Sequence, residues 1–505
     1  MLPQRSPDDG APTIDNDTSD GSDQPPPDHS LLTNSPYTQA PLDGWAAVIL
    51  AAGRGTRMQS TLPKAVHPVA GRPMLQLICE TVSAAGFTSV VVVTPDTDGV
   101  VAETARHCAG NTAVTIAVQE EPHGTADAAL AARDAIDGAT NLLFLNCDQP
   151  LFTPRTLREI AERHANHREP LTFLTAHLSE PAGFGRVRRL NGRIQEVIED
   201  VEGEFASRGA PEVNAGAYAV DAAWLWPALQ DLPTGAVSGE RYLTSMIEVA
   251  VADGGVQTHQ VQDSGEIQHV STQKDLAEAE RVMRERTRRH LMDQGVTLLD
   301  PATTYIDVGV SVGAESVIEP GVHLRGTTSI GSRCQIGPNA VLRDMRVGDD
   351  CTIGGSTLEG STLADGITIG PYCHIRSGAS IESDVHLGNY VELKASRIGA
   401  GTKIGHFSYV GDADVGSGAN IGAGTVTVNY DGELKHRTRI GDGAFIGSDS
   451  MLIAPVEVGD RARTGAGSVV TRDVPDGATV FGVPAEAAEE REASNSDSPD
   501  AEQGG

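Results

Sequence analysis

Short apolar runs alternate with amphipathic stretches in the first half of the sequence. The runs, each fit for a buried parallel strand, cover 45–50, 90–93, 114–118 and 142–145. Helix-like stretches lie between them at 74–85 and 126–135. This alternation predicts a Rossmann-like α/β domain with a mostly parallel sheet. A charged stretch at 273–294, with apolar residues on one helical face, predicts a linking helix.

After Leu299 the hydrophobic pattern repeats every six residues. Aliphatic residues at this step include Ile318, Leu324, Ile330, Ile336 and Leu342, then Ile369, Ile375, Ile381, Leu387 and Leu393. A six-residue step fits a triangular coil in which each hexapeptide forms one side and the aliphatic residue points to the axis. The repeat therefore predicts a parallel β-helix of stacked triangular coils, called the prism below.

The repeat is interrupted once, between Ile421 and Ile440, by a segment too long for the coil. We expect this insertion to project as a loop, the kind of segment in which sites are often built.

Composition adds two acidic ends. The formal charge is −31, of which residues 1–44 contribute −7 and residues 486–505 contribute −6, and both segments read as disordered tails. The predicted organisation is therefore a tail at 1–44, an α/β domain at 45–270, a linking helix at 271–296, the prism at 297–485 and a tail at 486–505.

The charge and the apolar runs exclude several classes. An acidic chain lacks the clustered positive field that binds nucleic acid, and no apolar run reaches the ~18 residues of a membrane span. Six scattered cysteines and the lack of a signal peptide predict a cytoplasmic protein. Only five lysines accompany the excess acid, which fits either a high-salt cytosol or GC-rich coding.

A glycine-rich turn follows the first apolar run. Gly53 and Gly55 lie directly after the predicted strand, and Arg57 and Lys64 add two cations. Backbone N–H groups in such a turn approach phosphate oxygens closely. The spacing matches neither a Walker loop nor a dinucleotide fingerprint, which disfavours ATPases and dehydrogenases.

An acidic residue, Asp148, follows the run at 142–145. At the carboxyl end of a strand it is placed over the ligand crevice of an open α/β sheet, where it would hold Mg²⁺ on phosphates. An Asp shortly before a proline is also an ordinary signal for a turn. The neighbouring glycine-rich turn favours the interpretation of Asp148 as a magnesium ligand.

Together, LAAGRGTRM, LPK, the later acid and the prism resemble one family across about residues 45–485. This is the family of bifunctional N-acetylglucosamine-1-phosphate uridylyltransferases / glucosamine-1-phosphate acetyltransferases. The resemblance implies acetyl transfer from acetyl-CoA to glucosamine-1-phosphate in the prism. It also implies Mg²⁺-dependent uridylyl transfer from UTP to N-acetylglucosamine-1-phosphate in the α/β domain. The prism would be a left-handed parallel β-helix of hexapeptide repeats, and the protein a homotrimer.

The resemblance also assigns residues in the α/β domain. Arg57 and Lys64 would act on the phosphates, and Asp148 would bind Mg²⁺. The remaining nucleotide- and sugar-binding residues would be Leu50, Ala51, Ala52, Gly53, Gln119, Gly124, Thr125, Gly185, Glu199 and Asn214.

In the prism the resemblance makes His406 the catalytic base, since an ammonium must lose a proton before it attacks a thioester. The acceptor site would comprise Arg376, Lys394, Tyr409, Asn420, Asn429 and Tyr430. Acetyl-CoA would lie against Ala423, Ser448 and Ala466.

The chain departs from the family pattern at two places. The family's second Mg²⁺ ligand is an Asn before the linking helix, and we match its segment to 266–269. Gln268 is the candidate ligand there, and the alternative, His269, would be an unusual ligand for a hard ion. An Arg near the C-terminal Val-Pro is missing, which removes one expected acetyl-CoA phosphate contact. His107 and His164 have no clustered partners, and we expect them at the surface.

Two other functions fit parts of the pattern. One is a glucose-1-phosphate thymidylyl- or uridylyltransferase with a broader amino-sugar acetyltransferase domain. The other is a non-catalytic regulatory subunit, against which the joint presence of Arg57, Lys64, Asp148 and His406 argues.

Overall fold

The computed structural model describes residues 40–108, 112–121, 123–181, 183–199, 212–235, 237 and 239–487. Most of both predicted tails therefore lies outside the described residues. At the inner ends, Leu42 N donates to Gly86 O (2.9 Å), and Glu486–Ala487 pairs with the strand Thr479–Phe481. Within the described ranges, no helix has the length and apolarity needed to cross a membrane.

The α/β domain is built on a mostly parallel sheet. Its strands are β1 Trp45–Leu50, β2 Pro68–Val69, β3 Arg72–Pro73, β4 Ser89–Thr94, β5 Ala113–Val118, β6 Asn141–Asn146, β7 Leu171–His177, β8 Arg186–Leu190, β9 Arg193–Ile198, β10 Glu212–Asp221 and β11 Gln257–Gln260. The sheet order is β11-β7-β10-β6-β1-β4-β5, and β2 and β3 form a separate hairpin. All six residues of β1 are buried, as an apolar run between two helical layers requires.

Helices cover both faces of this sheet. They are α1 Met74–Ala84, α2 Val100–His107, α3 Thr125–Ala131, α4 Pro154–Ala165, α5 Ala222–Gln230 and α6 Met246–Asp253. The linking helix is α7 Gln273–Asp293. The helix predicted at 126–135 ends at Ala131, and a 3-10 turn, Arg133–Ala135, follows it.

Strand β10 is the main departure from simple alternation. It runs antiparallel to both β6 and β7, and its register shifts between Asn214 and Tyr218. This irregularity lies beside the crevice described below, where a bulge re-aims side chains.

His164 is buried, so its predicted surface position is wrong. Its ring packs edge-on against Trp45, and Nδ1 lies 3.1 Å from the Thr172 hydroxyl. Its place on the apolar face of α4 explains the burial.

Helix α7 begins at a capping box. The Thr272 hydroxyl accepts from Asp275 N, and the Asp275 carboxylate accepts from Thr272 N (2.8 Å). Its apolar residues Ala279 and Met283 pack in one cluster with Met58 of the α/β domain and Val308 of the prism. The linking helix therefore contacts both domains.

The prism has the predicted stacked coils. Ile318, Ile336, Ile353, Ile369, Leu387 and Ile404 lie in parallel register one above another and form part of a continuous apolar column. Its strands are Thr297–Leu298, Tyr305–Ile306, Ser311–Val312, Val317–Ile318, His323–Arg325, Ser329–Ile330, Gln335–Ile336, Val341–Arg343, Arg346–Val347, Thr352–Ile353, Thr357–Glu359, Thr362–Leu363, Thr368–Ile369, His374–Ile375, Ser380–Ile381, His386–Lys394, Arg397–Ile398, Lys403–Gly411, Ala413–Val415, Asn420–Ile421, Val426–Val428, Thr438–Ile440, Phe445–Ile446, Met451–Ile453, Val456–Val458, Arg463–Thr464, Val469–Val470, Thr479–Phe481 and Glu486–Ala487.

The insertion is shorter than the sequence suggests. Val426–Val428 remains a rung, paired with Met451–Ile453, and the chain leaves the coil only at 429–437. Tyr430 and Lys435 pair across this loop.

Candidate functional sites

A crevice opens at the carboxyl ends of β1 and β6. It has two connected compartments, of about 420 Å³ and about 250 Å³, and Arg57, Thr125, Asn146, Asp148 and Ser271 line both. The position is that of ligand crevices in open α/β sheets.

The glycine-rich turn forms one wall of the larger compartment. Gly55 has φ +62°, and a Cβ there would lie 2.5 Å from Cβ of Lys64. Glycine is therefore required for the turn to pack against the lysine. Arg57 lies in the short 3-10 helix that follows and faces both compartments.

Lys64 and Asp148 meet at the boundary of the compartments. Lys64 Nζ donates to Asp148 Oδ2 (2.5 Å) and to Ser271 Oγ (3.3 Å). The lysine side chain is only 11% exposed, so its charge is stabilised by this carboxylate rather than by water. One ammonium, one carboxylate and one hydroxyl thus converge at this boundary.

The segment before α7 contributes residues to the crevice, but the predicted metal ligand Gln268 is not among them. His269 and Ser271 line the crevice, whereas Gln268 does not. The capping box sets this placement, because Ser271 N also donates to Asp275 Oδ2 (3.0 Å). Burial lowers the pKa of His269, whose ring packs edge-on against Phe184.

Ser271 is the residue that the motif comparison missed. The sequence signal that could have located Ser271 is the capping box Thr272-x-x-Asp275. The capping box fixes where α7 begins and therefore the position of the residue just before Thr272.

Among the predicted nucleoside-binding residues, Gln119, Gly124 and Thr125 line the larger compartment. Gln119 Nε2 donates to Gly124 O (3.1 Å), and Thr125 Oγ1 accepts from Leu243 N (2.8 Å). Leu50, Ala52 and Gly53 line the same compartment. Ala51 does not; it is buried in the core beneath the sheet.

The predicted sugar-binding residues line the smaller compartment. These are Gly185, Glu199 and Asn214. Asn214 Nδ2 donates to Tyr218 OH (2.6 Å), and Thr244 donates to Glu199 Oε1 (2.5 Å). Burial raises the pKa of Tyr218, so its hydroxyl stays neutral.

A second polar cluster surrounds Asp412 on the prism. Its Oδ2 accepts from Lys394 Nζ (3.3 Å) and from Asn429 Nδ2 (2.5 Å), and Asn429 also lies 3.4 Å from Tyr409 OH. Burial lowers the pKa of Lys394, but the Asp412 carboxylate contributes to a net rise. Arg376 lies in the adjacent coil and pairs with Glu392 (3.2 Å).

His406 is exposed at a corner of the prism. It lies two residues after the inward-pointing Ile404, and Ala423, Ser448 and Ala466 take the same position after Ile421, Ile446 and Thr464. The predicted base and acetyl-CoA residues thus form one column. Asn420 belongs to the side of the coil before this corner, in register with Lys403 and Phe445.

Tyr430 is on the projecting loop. It is 56% exposed, and its hydroxyl donates to Gly432 O (2.5 Å). Lys435, not among the predicted residues, pairs with it across the loop.

Comparison with known proteins decides the family. The model of MobA-like NTP transferase domains matches residues 47–213. Hexapeptide models match the prism: bacterial transferase hexapeptide at 309–344 and 437–472, and hexapeptide repeat of succinyl-transferase at 344–389.

Relatives named bifunctional protein GlmU match most of the chain. One from Streptococcus agalactiae serotype V is 42% identical over 432 residues, which are 85% of this chain and 93% of the relative. One from a Geobacillus species is 40% identical, covering 86% and 94%, and one from Geotalea uraniireducens is 39% identical, covering 86% and 95%. The chain belongs to the GlmU family.

Membership of the GlmU family confirms the predicted fold class, an α/β nucleotidyltransferase domain followed by a left-handed hexapeptide β-helix. It also confirms the predicted bifunctional transferase of UDP-N-acetylglucosamine synthesis over a non-catalytic subunit. The individual site residues remain predictions.

Proposed function

We propose that the crevice binds UTP in its larger compartment and N-acetylglucosamine-1-phosphate in its smaller one. The observation that carries this proposal is the Lys64–Asp148 contact at the boundary of the two. In-line nucleotidyl transfer needs the two phosphates close together with their charge neutralised, and no protein nucleophile.

Arg57 and Lys64 supply fixed positive charge at this point. We assign both to the triphosphate, where they stabilise the charge that develops on the attacked phosphorus and on the pyrophosphate. Gln119 and Gly124 would hold the uracil edge. Glu199 would accept hydrogen bonds from the sugar, and Asn214 would donate hydrogen bonds to it.

The donor set fits Mg²⁺ held mainly by substrate. In the described part of the chain no three His, Cys, Asp or Glu residues group as metal ligands. Asp148 with the Ser271 hydroxyl is a hard oxygen set of the kind that Mg²⁺ uses beside phosphate and water. When bound, the ion neutralises phosphate charge. We replace Gln268 by Ser271 as the second protein donor, because Ser271 lines the crevice and offers a hard oxygen, whereas Gln268 does not line it.

On the prism we propose acetyl transfer from acetyl-CoA to glucosamine-1-phosphate. His406 takes a proton from the amino group, whose nitrogen attacks the thioester carbonyl and expels the CoA thiolate. Ala423, Ser448 and Ala466 leave a shallow column beside His406 for the pantetheine arm. Arg376 and Lys394 provide charge for the sugar phosphate, and Tyr409, Asn420, Asn429 and Tyr430 provide hydrogen bonds.

We propose that the chain works as a homotrimer. Tyr372, Tyr390 and Phe407 follow one another on successive coils at the His406 corner and are 57–64% exposed, and the two tyrosine rings stack at 5.4 Å. Such an aromatic stripe is typical of an interface. Asn420 and the Asp412 cluster lie on opposite sides of that corner, so a neighbouring prism would complete the acceptor site. The six free thiols support a cytoplasmic location.

One coupled assay tests both activities. Purified protein is given glucosamine-1-phosphate, acetyl-CoA, UTP and Mg²⁺, and the sugar nucleotide is identified by mass. The proposal expects UDP-N-acetylglucosamine and pyrophosphate, with no product when acetyl-CoA is omitted unless N-acetylglucosamine-1-phosphate is supplied. Preference for dTTP or for galactosamine-1-phosphate would favour the broader-range alternative.

A further inference from the structure

The β2–β3 hairpin lies between the uridylyl crevice and the first coils of the prism. It follows Lys64 by only a few residues, and its turn consists of Ala70 and Gly71. Ala70 has φ +46° and Gly71 has φ +85°. This turn contacts both α7 and the prism, which makes it a physical connection between the two catalytic domains.

Both backbone groups of Ala70 are bonded outside the α/β domain. Ala70 N donates to Glu280 Oε2 on α7, and Ala70 O accepts from Val308 N of the prism (2.9 Å). A second contact adds to this: a Cβ on Gly71 would lie 2.4 Å from Oδ2 of Asp307, so the turn packs directly on that carboxylate.

Glu280 is itself held in place. Arg284 Nε donates to Glu280 Oε1 (2.7 Å), and Arg284 Nη2 lies 3.4 Å from Asp307 Oδ1. The side chains of Glu280 and Asp307 are 31% and 10% exposed. Partly buried, charge-assisted bonds of this kind hold their groups more firmly than exposed ion pairs do.

A short bonded path runs from the turn to Lys64. Met74 N, just after the hairpin, donates to His67 O (3.0 Å), and His67 N donates to Lys64 O (3.2 Å). Arg57 has a parallel support, because Gln273 at the start of α7 donates to the neighbouring Met58 O (3.1 Å). The backbones that carry both cations are thus tied to the linking helix.

We infer that Glu280 is a positioning residue for uridylyl transfer: by holding the Ala70 turn on α7, beside the prism, it fixes Lys64 next to Asp148. The inference rests on the proposed role of Lys64. Displacing a charge-stabilising group slightly costs transition-state stabilisation more than substrate binding, since the requirement for geometry is stricter there. Loss of the anchor should therefore lower kcat rather than raise KM.

The test uses the full-length enzyme with Glu280→Ala, Glu280→Gln and a control, Glu278→Ala. Glu278 lies on the same helix and pairs with Arg281 at the surface. We expect Glu280→Ala to lower uridylyl kcat about tenfold, with KM for UTP and acetyl transfer each within about twofold. Glu280→Gln keeps an acceptor for Ala70 N and should recover most of the loss, and Glu278→Ala should match the parent.

A double-mutant cycle with Lys64→Gln identifies the route. If Glu280 acts through Lys64, adding Glu280→Ala to Lys64→Gln costs less than about twofold further. Additive losses, an equal fall in acetyl transfer, or an unchanged kcat in Glu280→Ala would each overturn the inference. An active Lys64→Gln enzyme would instead contradict the proposed function, so the two failures are distinguishable.

Discussion

Lys64 Nζ lies 2.5 Å from Asp148 Oδ2, although the two residues are 84 positions apart in the chain. The glycine turn after β1 delivers the lysine and the end of β6 delivers the aspartate, because β1 and β6 are adjacent parallel strands. Their contact places an ammonium and a carboxylate at the boundary of the two compartments, the point that both proposed substrates would share.

Asp148→Asn tests this arrangement. We expect uridylyl transfer to fall about a hundredfold or more, because the carboxylate charge for the metal is lost. Acetyl transfer by the same sample should be unchanged, which serves as the folding control. Rates are measured by pyrophosphate release over a Mg²⁺ titration. A variant as active as the parent at every Mg²⁺ concentration would rule out Asp148 as a ligand.

His406→Ala should separate the activities in the opposite direction. Removing a general base costs roughly 10²–10⁴-fold, so acetyl transfer should be nearly lost while uridylyl transfer is retained. The side chain is exposed at a corner, so truncation leaves no cavity in the core. Thiol release from acetyl-CoA measures the first activity. An equal loss of acetyl transfer and uridylyl transfer would contradict the assignment of His406 as the catalytic base.

Asp412→Asn tests the second cluster. The Asp412 carboxylate accepts hydrogen bonds from both Lys394 and Asn429. An asparagine amide in its place carries no charge, so it weakens the charge-assisted bond to Lys394 and leaves that ammonium less firmly placed. We expect kcat/KM for glucosamine-1-phosphate to fall about tenfold with KM for acetyl-CoA unchanged. A matched change at Asp414, which pairs with Arg397 on the next face, should have no effect. If both variants behave alike, the Asp412 cluster is not the acceptor site.

How far the sequence predicts the fold differs between the two halves. In the prism each coil repeats one local rule, so Ile318 and Ile336 could be placed from spacing alone. In the α/β domain, strand β1 is an uninterrupted apolar run and could be predicted equally well. Strand β10 was not, because its antiparallel insertion between β6 and β7 depends on non-local pairing.

The site shows the same division. Residues inside a motif, such as Lys64, came directly from the sequence. Ser271 did not, because it faces Asp148 only through the start of α7, which the Thr272 capping box sets. Asp412 was also missed, since it gathers residues from three coils that no linear pattern joins.

The pair Arg189–Glu212 predicts a pH effect on stability. Both guanidinium nitrogens Nε and Nη2 donate to the carboxylate, at 2.6 and 2.7 Å. Burial raises the pKa of Glu212, but Arg189, the Thr175 hydroxyl and His177 together lower it by more, so the net pKa lies below the ordinary 4.5. A depressed folded pKa stabilises the protein above the unfolded pKa, and this stability is lost as pH falls through the folded value.

Glu212→Gln should therefore destabilise the fold by about 1 kcal/mol at about pH 7. The difference from the parent should shrink as pH is lowered from about 6 to about 3.5, since the parent then loses its own ionised pair. Urea unfolding at each pH measures it. A difference that stays constant over this range would show that the ion pair contributes no pH dependence.

A ladder of aspartates on the prism predicts that salt stabilises the fold. Asp460 Oδ1 accepts from Asp442 N, and Asp476 Oδ1 accepts from Asp460 N, both at 2.9 Å. Stacked coils lie about 4.8 Å apart, so these carboxylates repel one another, within a protein of formal charge −31. At molar salt the Debye length falls to about 3 Å, which screens the repulsion. We expect molar potassium chloride to raise the unfolding temperature.

Asp460→Asn isolates this effect from general salt stabilisation. The amide oxygen still accepts from Asp442 N, but the central charge of the ladder is gone. In dilute buffer the variant should be more stable than the parent by a few tenths to about 1 kcal/mol, and in molar potassium chloride the two should coincide. Equal stability of the two proteins in dilute buffer, together with full activity there, would contradict this prediction, because the carboxylates would then show no measurable repulsion. That outcome would favour GC-rich coding as the reason for so few lysines.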